Sequence, residues 1–154
     1  METPKKLGII GKNISYSFSK KYFENKFQNL MLKNYSYDIF DLNDISDVEE
    51  IFKTPHLIGL NVTIPYKEKV IPYLDELSDE AEKMGAVNCI VINDNIKKGF
   101  NTDAVGFEKT LLLHKKDFHT SALILGDGGA AKAVKYVLNK HGIPFKTVAR
   151  NSEL

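Results

Sequence analysis

Hydrophobic and polar positions in the first part of this chain follow two different spacings. Continuous apolar runs at residues 7–10 and 57–64 are typical of buried strands, and the alternation of Tyr35, Tyr37 and Ile39 predicts another strand between them. Apolar side chains at helical spacing follow the first strand, at Tyr22, Phe23, Phe27, Leu30 and Met31. Strands that alternate with helices in this way predict an α/β fold.

Capping signals place two short helices further along the chain. Ser46 with Glu49 predicts a capping box for a helix that runs to about Lys53. Ser78 is a typical N-cap residue, and Gly85 can adopt the left-handed conformation that ends a helix. We therefore expect one helix near residue 49 and another from Ser78 to Gly85.

A hairpin is predicted after the second of these helices. Residues 86–92 and 96–100 are apolar enough to form strands, and Asn93, Asp94 and Asn95 between them are a turn signal. Strands joined by so short a turn run antiparallel, so the predicted sheet is mixed rather than purely parallel.

The last third of the chain contains a second strand and helix pattern. A helix is predicted to begin near Asp103, and its apolar face is formed by Phe107, Leu111 and Leu112. Strand 123–125 then leads through a glycine-rich loop into helix 130–141, and strand 145–148 follows. The prediction is an α/β protein with an N-terminal mixed sheet and then a Rossmann-like βαβ unit. That unit looks incomplete, because a doubly wound nucleotide-binding domain contains two βαβαβ halves.

Composition narrows the class of partner. The 154 residues are 43% hydrophobic and 27% charged, as in globular proteins, and 21 basic residues are matched by 20 acidic ones. This balance creates no field that attracts nucleic acid or an anionic membrane, so a small-molecule partner is predicted. The single cysteine, Cys89, fits a reducing compartment, and no apolar run suits a signal peptide or a membrane span. A cytoplasmic location is expected; the oligomeric state stays open, and a homodimer is compatible with the sequence.

Residues 61–67, Asn-Val-Thr-Ile-Pro-Tyr-Lys, place an amide, a hydroxyl and an ammonium group at the end of a strand. Pro65 has no backbone N–H for the ladder, so the chain must leave the sheet there. Asn61, Thr63 and Lys67 are thus expected at the carboxyl edge of the sheet, where open α/β sheets bind ligands. The alternative for Lys67 is a solvated surface lysine.

A glycine-rich loop between strand and helix consists of Gly126, Asp127, Gly128, Gly129 and Ala130. Its backbone N–H groups could bind a pyrophosphate, and Gly129 would allow close packing of helix and strand. Arg150 stands 24 positions after Gly126, where NAD-binding folds usually have an acid, so NADP is predicted. Asp127 would repel a phosphate unless its carboxylate points away. The alternative is a plain tight turn.

Four further polar residues are candidates that also have structural alternatives. Ser17 and Ser19 lie at the start of the first helix, where hydroxyls either bind a carboxylate or cap the helix. Asn88 lies inside a predicted strand, and its amide needs partners from a ligand or from the protein. Asp103 could cap the helix that it begins. The histidines show no metal-ligand spacing, so no metal is predicted, and Cys89 is expected to be a core residue rather than a nucleophile.

Five motifs together resemble the shikimate dehydrogenase family in order and spacing: residues 11–19, 61–67, 85–88, 101–103 and 126–130. The resemblance spans essentially the whole chain, and the Asn-Val-Thr-x-Pro-x-Lys run is its most specific element. The chain departs from the family pattern at Tyr16, Lys20, Cys89 and Ala149. None of these departures removes a proposed catalytic atom.

The resemblance implies a shikimate-binding substrate domain over residues 1–101 and the start of an NADP-binding domain over residues 102–154. It implies NADPH-dependent, reversible reduction of 3-dehydroshikimate to shikimate, an oxidoreductase step of chorismate and aromatic amino acid biosynthesis. Lys67 would be the catalytic group, and Asp103 would orient it. The implied substrate contacts are Ser17, Ser19, Asn61, Thr63, Lys67, Asn88 and Asp103. The implied cofactor contacts are Gly126, Asp127, Gly128, Gly129, Ala130 and Arg150.

Two alternatives remain open at this stage. The first is a non-catalytic binding module for a polyhydroxylated carboxylate. The second is a quinate/shikimate dehydrogenase that uses NAD, against which Arg150 argues because arginine suits a 2′-phosphate.

Overall fold

The computed structural model describes residues 2–149 of the chain, and within them a six-stranded mixed sheet contains the predicted ligand-binding edge. Its strands are β1 (Lys5–Gly11), β2 (Tyr35–Asp41), β3 (Leu57–Val62), β4 (Glu76–Leu77), β5 (Cys89–Asn93) and β6 (Ile96–Phe100), in the spatial order β2-β1-β3-β5-β6-β4. The first three neighbours are parallel, whereas β5 runs antiparallel to both β3 and β6. The predicted mixed α/β fold is therefore confirmed.

Five α-helices, two 3₁₀ turns (Ile45–Asp47 and Ile71–Tyr73) and a second, smaller sheet complete the described structure. The helices are α1 (Ser19–Asn29), α2 (Val48–Phe52), α3 (Asp79–Met84), α4 (Asp103–His114) and α5 (Gly129–Lys140). Strands β7 (Ala122–Leu125) and β8 (Phe145–Val148) pair in parallel, and α5 connects them. The predicted βαβ unit is present, and its last strand has the bounds that the sequence indicated.

Both faces of the six-stranded sheet are covered. Successive residues of a strand point to opposite sides, so each strand contributes side chains to both faces. One face is the larger core, whose most deeply buried members, at most 2% exposed, include Ile10, Val48, Leu60, Val70 and Ile90. The other face packs against α1 through Ile9, Phe27 and Tyr37. In the smaller unit, Ile124 and Leu138 are buried together and pack against α4.

Several local predictions are confirmed. Asp94 and Asn95 both have positive φ in the turn between β5 and β6, and Asn93 pairs with Ile96 across it. The Ser78 hydroxyl accepts a hydrogen bond from the Ala81 N–H at 3.2 Å, which caps α3. Gly85 ends that helix with φ of 61°, a conformation that favours glycine.

The capping box predicted at Ser46 and Glu49 is wrong. A 3₁₀ turn, Ile45–Asp47, precedes α2, and Asp44 caps it by accepting the Ser46 N–H at 2.9 Å. Asp47 returns a bond by accepting the Asp44 N–H at 3.3 Å. Helical backbone thus starts earlier than expected, because a carboxylate at Asp44 already satisfies the first free N–H groups.

Two predicted strands are too long. β3 ends at Val62 rather than at residue 64, and β5 begins at Cys89, so that Asn88 lies just before the strand and not inside it. Asn88 still bonds to both neighbouring strands through its backbone, since its N–H donates to Phe100 O and its carbonyl accepts from Val62 N. The side chain of Asn88 is 9% exposed and remains in the interior.

Helical spacing overestimated the apolar faces of α1 and α4. Tyr22 is 59% exposed, Met31 is 81% exposed and Leu112 is 57% exposed. Helix α1 ends at Asn29, so Met31 and Leu30 lie beyond its face. Of the apolar face predicted for α4, Phe107 and Leu111 reach the core.

Replacing Tyr66 with phenylalanine is expected to lower the free energy of unfolding by about 1–3 kcal/mol. Tyr66 is 2% exposed, and its hydroxyl donates to the buried carbonyl of Leu42 at 2.8 Å, so the substitution leaves that carbonyl without its partner. Urea denaturation followed by circular dichroism measures the change. Tyr22→Phe, at an exposed position, is the control, and equal stability of the two variants would contradict the expectation.

Candidate active site

The loop between β1 and α1 carries Ser17 and leads to Ser19, the first residue of α1, and the end of β2 holds this loop in place. The carboxylate of Asp41 accepts the N–H of Asn13 at 2.7 Å and that of Ile14 at 3.0 Å. Asn13 has φ of 57°, which lets the chain turn sharply after the strand. The loop is therefore fixed at the carboxyl edge of the sheet, where sequence analysis expected a ligand.

Neither serine caps α1 in the usual way. The N-cap position is Phe18, which has no capping side chain, and the Ser17 hydroxyl accepts the Ser19 N–H at 3.3 Å. Both serines are partly exposed. Their hydroxyls thus stand at a helix N-terminus, where free backbone N–H groups favour an anion such as a carboxylate.

Lys67 is not a solvated surface lysine. It follows the turn after β3, its carbonyl accepts the Val87 N–H at 2.7 Å, and its side chain is only 15% exposed. Its Nζ donates to Asp103 Oδ2 at 2.5 Å, which joins the end of β3 to the start of α4. An amine and an acid that are far apart in the chain therefore meet at one point.

The carboxylate of Asp103 is free to make this contact because Asp103 does not cap α4. Its other oxygen, Oδ1, accepts from Asn88 Nδ2 at 2.8 Å. Asn88 Nδ2 also donates to the Thr102 hydroxyl at 2.9 Å, and Asn88 Oδ1 accepts the Thr102 N–H at 2.8 Å. The buried amide of Asn101 secures the same turn, because it donates to Ala86 O at 2.9 Å and accepts the Asp103 N–H at 3.1 Å. The carboxylate of Asp103 and the amide of Asn88 are thus both held by neighbouring groups.

The glycine-rich loop approaches Lys67 closely. A Cβ built on Gly129 would lie 2.9 Å from Lys67 Cβ, so that only glycine fits there without a shift. Gly126 has φ of 116°, a conformation that suits glycine alone. The N-cap of α5 is Gly128, which has no side chain to satisfy the first N–H groups of the helix.

Two ion pairs arrange the charges beside this loop. The Asp127 carboxylate bonds to Lys135 of α5, so it is neutralised by a neighbouring lysine and drawn along the helix. Lys132 Nζ lies 2.7 Å from Glu68 Oε2, which ties α5 to the residue after Lys67. The ion pair with Lys135 compensates the charge of Asp127, whereas the sequence analysis had asked whether this carboxylate points away from a phosphate.

A cleft of about 440 Å³ separates the two parts of this arrangement. One wall contains Thr63, Pro65 and Lys67, and the other contains Gly126, Gly128 and Ala130. A Cβ at Gly128 would meet no atom of the described residues within 4 Å, so this backbone faces the cleft directly. The cleft can hold a ligand that touches an ammonium group on one side and helix N–H groups on the other.

Sequence reasoning missed three residues that shape the site: Tyr37, Asp41 and Thr102. The Tyr37 hydroxyl donates to Asn61 Oδ1 at 2.7 Å. In the sequence, the alternation of Tyr37 with its neighbours had indicated only a strand. Asp41 stands at the end of a strand, a position that the rule applied to Asn61 and Lys67 would have singled out. Thr102 belongs to the Asn101-Thr102-Asp103 motif, but its hydrogen bond to Asn88 could be recognised only in the folded structure.

Other candidates lie outside the cleft or outside the described residues. Arg150 belongs to the latter, which end at Ala149. Burial raises the pKa of the Cys89 thiol, which disfavours the thiolate that a nucleophile needs.

Across residues 2–149 no group of three potential metal ligands comes together. In the same part of the chain, no helix is long and apolar enough to cross a membrane.

The fold and the site define an α/β protein whose ligand cleft lies between a lysine and carboxylate pair and a glycine-rich loop. The family model "Shikimate dehydrogenase substrate binding domain" matches residues 9–90. This chain therefore belongs to the family of shikimate dehydrogenase substrate-binding domains.

Individual relatives support this family assignment. The NADP(+)-dependent shikimate dehydrogenase of Methanosphaera stadtmanae is 41% identical over 152 residues, which is 95% of this chain and 52% of that protein. The crystal structure of shikimate dehydrogenase 1 from Peptoclostridium difficile has a TM-score of 0.85 and 32% identity over 96% of this chain and 57% of that one. Shikimate 5-dehydrogenase from Thermus thermophilus, solved with NADP(H) and shikimate, has a TM-score of 0.81 and 30% identity over 96% of this chain and 56% of that one. The chain spans about half the length of the relatives that it matches.

Proposed function

We propose that this chain forms the substrate-binding part of an NADP-dependent shikimate dehydrogenase, which reversibly reduces 3-dehydroshikimate to shikimate in chorismate biosynthesis. The observation that carries the proposal is Lys67, whose Nζ lies 2.5 Å from Asp103 Oδ2 and which lines a cleft whose opposite wall is a glycine-rich helix start. The names of the relatives support the same activity. The proposal includes the cytoplasm as the compartment, since a single cysteine suits reducing conditions.

The proposed domain boundary lies between residues 101 and 102. The six-stranded sheet ends at Phe100, and α4 begins at Asp103 and packs against α5. Residues 1–101 would form the substrate domain, and residues 102–154 would begin a Rossmann-like nucleotide domain. Asp103 then stands at the junction, where a side chain can serve both parts.

The proposed substrate contacts follow the chemistry of shikimate, a ring with one carboxylate and several hydroxyls. Ser17 and Ser19 at the N-terminus of α1 would bind the carboxylate. Asn61 and Thr63, at the end of β3, would bind ring hydroxyls. Asn88 already uses its amide on Thr102 and Asp103, so a substrate hydroxyl would replace the Thr102 hydroxyl at that amide.

Lys67 is the proposed proton donor for the reduction. NADPH, when bound, supplies the hydride that reaches the carbonyl carbon of 3-dehydroshikimate. The carbonyl oxygen gains negative charge as its double bond breaks, and the Lys67 ammonium donates a proton to it, which leaves an alcohol and a neutral amine. Asp103 holds Lys67 in place and accepts a hydrogen bond from it throughout. The reverse reaction returns the proton to Lys67.

The residues around the second wall fit a dinucleotide. The first N–H groups of α5 face the cleft without a side-chain cap, and the backbone at Gly128 is open to it. The carboxylate of Asp127 is held by Lys135, so it does not leave an unpaired negative charge beside a phosphate. We propose that Gly126, Gly128, Gly129 and Ala130 contact the pyrophosphate. The choice of NADP over NAD rests on Arg150 in the sequence and on the relatives.

Calorimetric titration of this chain with shikimate, followed by an assay of NADPH oxidation with 3-dehydroshikimate by the whole protein of which it would form the substrate-binding part, tests the proposal. We expect shikimate to bind in the micromolar to millimolar range and NADPH to be oxidised faster than NADH. Binding of shikimate without oxidation of either nucleotide would support the binding module instead. Failure to bind shikimate at all would contradict the proposal.

A further inference from the structure

Tyr37 lies in the middle of β2 and connects to a proposed substrate residue on another strand. Its side chain is 2% exposed, and its hydroxyl donates to Asn61 Oδ1 at 2.7 Å. Asn61 itself is partly exposed at the carboxyl end of β3. A buried phenol therefore reaches one of the few polar groups that face the ligand edge of the sheet.

The aromatic ring of Tyr37 is held rigidly. It stacks on Phe23 of α1, with ring centroids 4.4 Å apart and an angle of 9° between the planes. Ile9 and Phe27 complete the same buried cluster. Because the ring has little freedom to move, the position of its hydroxyl is set by the core rather than by solvent.

This hydroxyl decides which way the Asn61 amide points. An asparagine side chain can present either its oxygen or its nitrogen to a ligand, and a fixed donor at Oδ1 selects one of these orientations. With Oδ1 bonded to Tyr37, the Nδ2 group points the other way. Within residues 2–149, Asn61 Nδ2 donates to no protein atom, so it is available to a ligand hydroxyl.

Burial keeps the phenol in its donor role. Burial raises the pKa of Tyr37 to about 12, although a hydrogen bond with the Ser19 side chain lowers it and the nearby Cys89 adds to the rise. The hydroxyl thus stays protonated at neutral pH.

We propose that Tyr37 is a positioning residue for substrate recognition, which fixes Asn61 as a hydrogen-bond donor to a ring hydroxyl of a polyhydroxylated carboxylate. This inference rests on the proposed function, because it assigns Asn61 to the substrate. Tyr37 itself does not touch the reacting atoms. It acts through the orientation of the Asn61 amide.

Tyr37→Phe tests the inference, because it removes one hydroxyl and keeps the ring that stacks on Phe23. We expect shikimate to bind about threefold to tenfold more weakly in calorimetric titration, the effect of one hydrogen bond. KM for shikimate should rise by a similar factor, while kcat changes by less than about twofold because Lys67 is untouched. Tyr35→Phe is the matched control: its hydroxyl lies on the same strand and contacts Lys5 rather than a site residue.

A double-mutant cycle separates positioning from a general structural effect. In an Asn61→Ala background, Tyr37→Phe should have no further effect on shikimate affinity, since the amide that it orients is gone. An equal loss in both backgrounds would overturn the inference, and so would unchanged affinity of Tyr37→Phe in otherwise unaltered protein that binds shikimate. If the unaltered protein does not bind shikimate, the proposed function fails and the inference fails with it, so the two failures are distinguishable.

Discussion

Lys67→Met is expected to reduce kcat by about 10²- to 10⁴-fold, the usual contribution of a positioned general acid. Methionine keeps much of the length of the side chain but removes the ammonium group that would donate a proton. Shikimate affinity should change by less than about threefold, because the group acts mainly on the charge that develops in the transition state. Steady-state kinetics with NADPH and 3-dehydroshikimate, with a separate shikimate titration, measure both quantities.

Lys69→Met provides the matched control. Lys69 is exposed and lies two positions further along the same turn, so it shares the sequence context without contacting Asp103. We expect its kinetics to equal those of the unaltered protein. Unchanged kcat in Lys67→Met would exclude Lys67 from the chemistry. An equal loss in both variants would indicate that the turn, and not the ammonium group, is responsible.

The order of the elements could be predicted from the sequence because their signals are local. The turn at Asp94 and Asn95, the glycine at position 85 and strand β8 were all identified by residues within a few positions of each other. Strand ends were less predictable. Asn88 lies in an apolar stretch of the sequence, yet β5 starts at Cys89, three residues later than predicted, and the contacts of the Asn88 amide with Thr102 and Asp103 become visible only in the fold.

Burial could be predicted less well, since it depends on what packs against a helix. Leu112 is adjacent to Leu111 in sequence, yet only Leu111 faces the neighbouring core because one residue turns a helix by about 100°. The same limit applies to Met31, which continues an apolar spacing beyond the last residue of α1. A periodic pattern identifies a helix but does not state how wide the covered face will be.

The site was predictable as a set of residue types but not as a geometry. Lys67 and Asp103 are 36 positions apart, and no spacing rule joins them. The hypothesis that they act together came from the resemblance to a family. The match over residues 9–90 confirms the family itself. Tyr37 shows the opposite limit: its alternation with Tyr35 is typical of a core residue, and the hydroxyl that reaches Asn61 becomes visible only when β2 and β3 are placed around β1.

Gly129→Ala is expected to lower kcat/KM for NADPH by about a hundredfold, because small displacements of reacting groups are costly. The new Cβ would lie 2.9 Å from Lys67 Cβ, closer than real Cβ contacts, and also 3.3 Å from Lys67 Cδ. Either α5 must move away from the cleft or Lys67 must leave Asp103. If α5 moves, the loop that would bind the pyrophosphate is displaced. If Lys67 moves, the proposed proton donor is displaced.

Two titrations identify which of these shifts occurs. Weaker NADPH binding with unchanged shikimate affinity would place the displacement in α5, whereas intact NADPH binding with reduced kcat would place it at Lys67. Gly106→Ala is the control, since a Cβ at this position of α4 meets no atom of the described residues within 4 Å. Wild-type kinetics in Gly129→Ala would contradict this expectation. They would show that the glycine-rich loop and Lys67 can move apart at this contact without loss of activity.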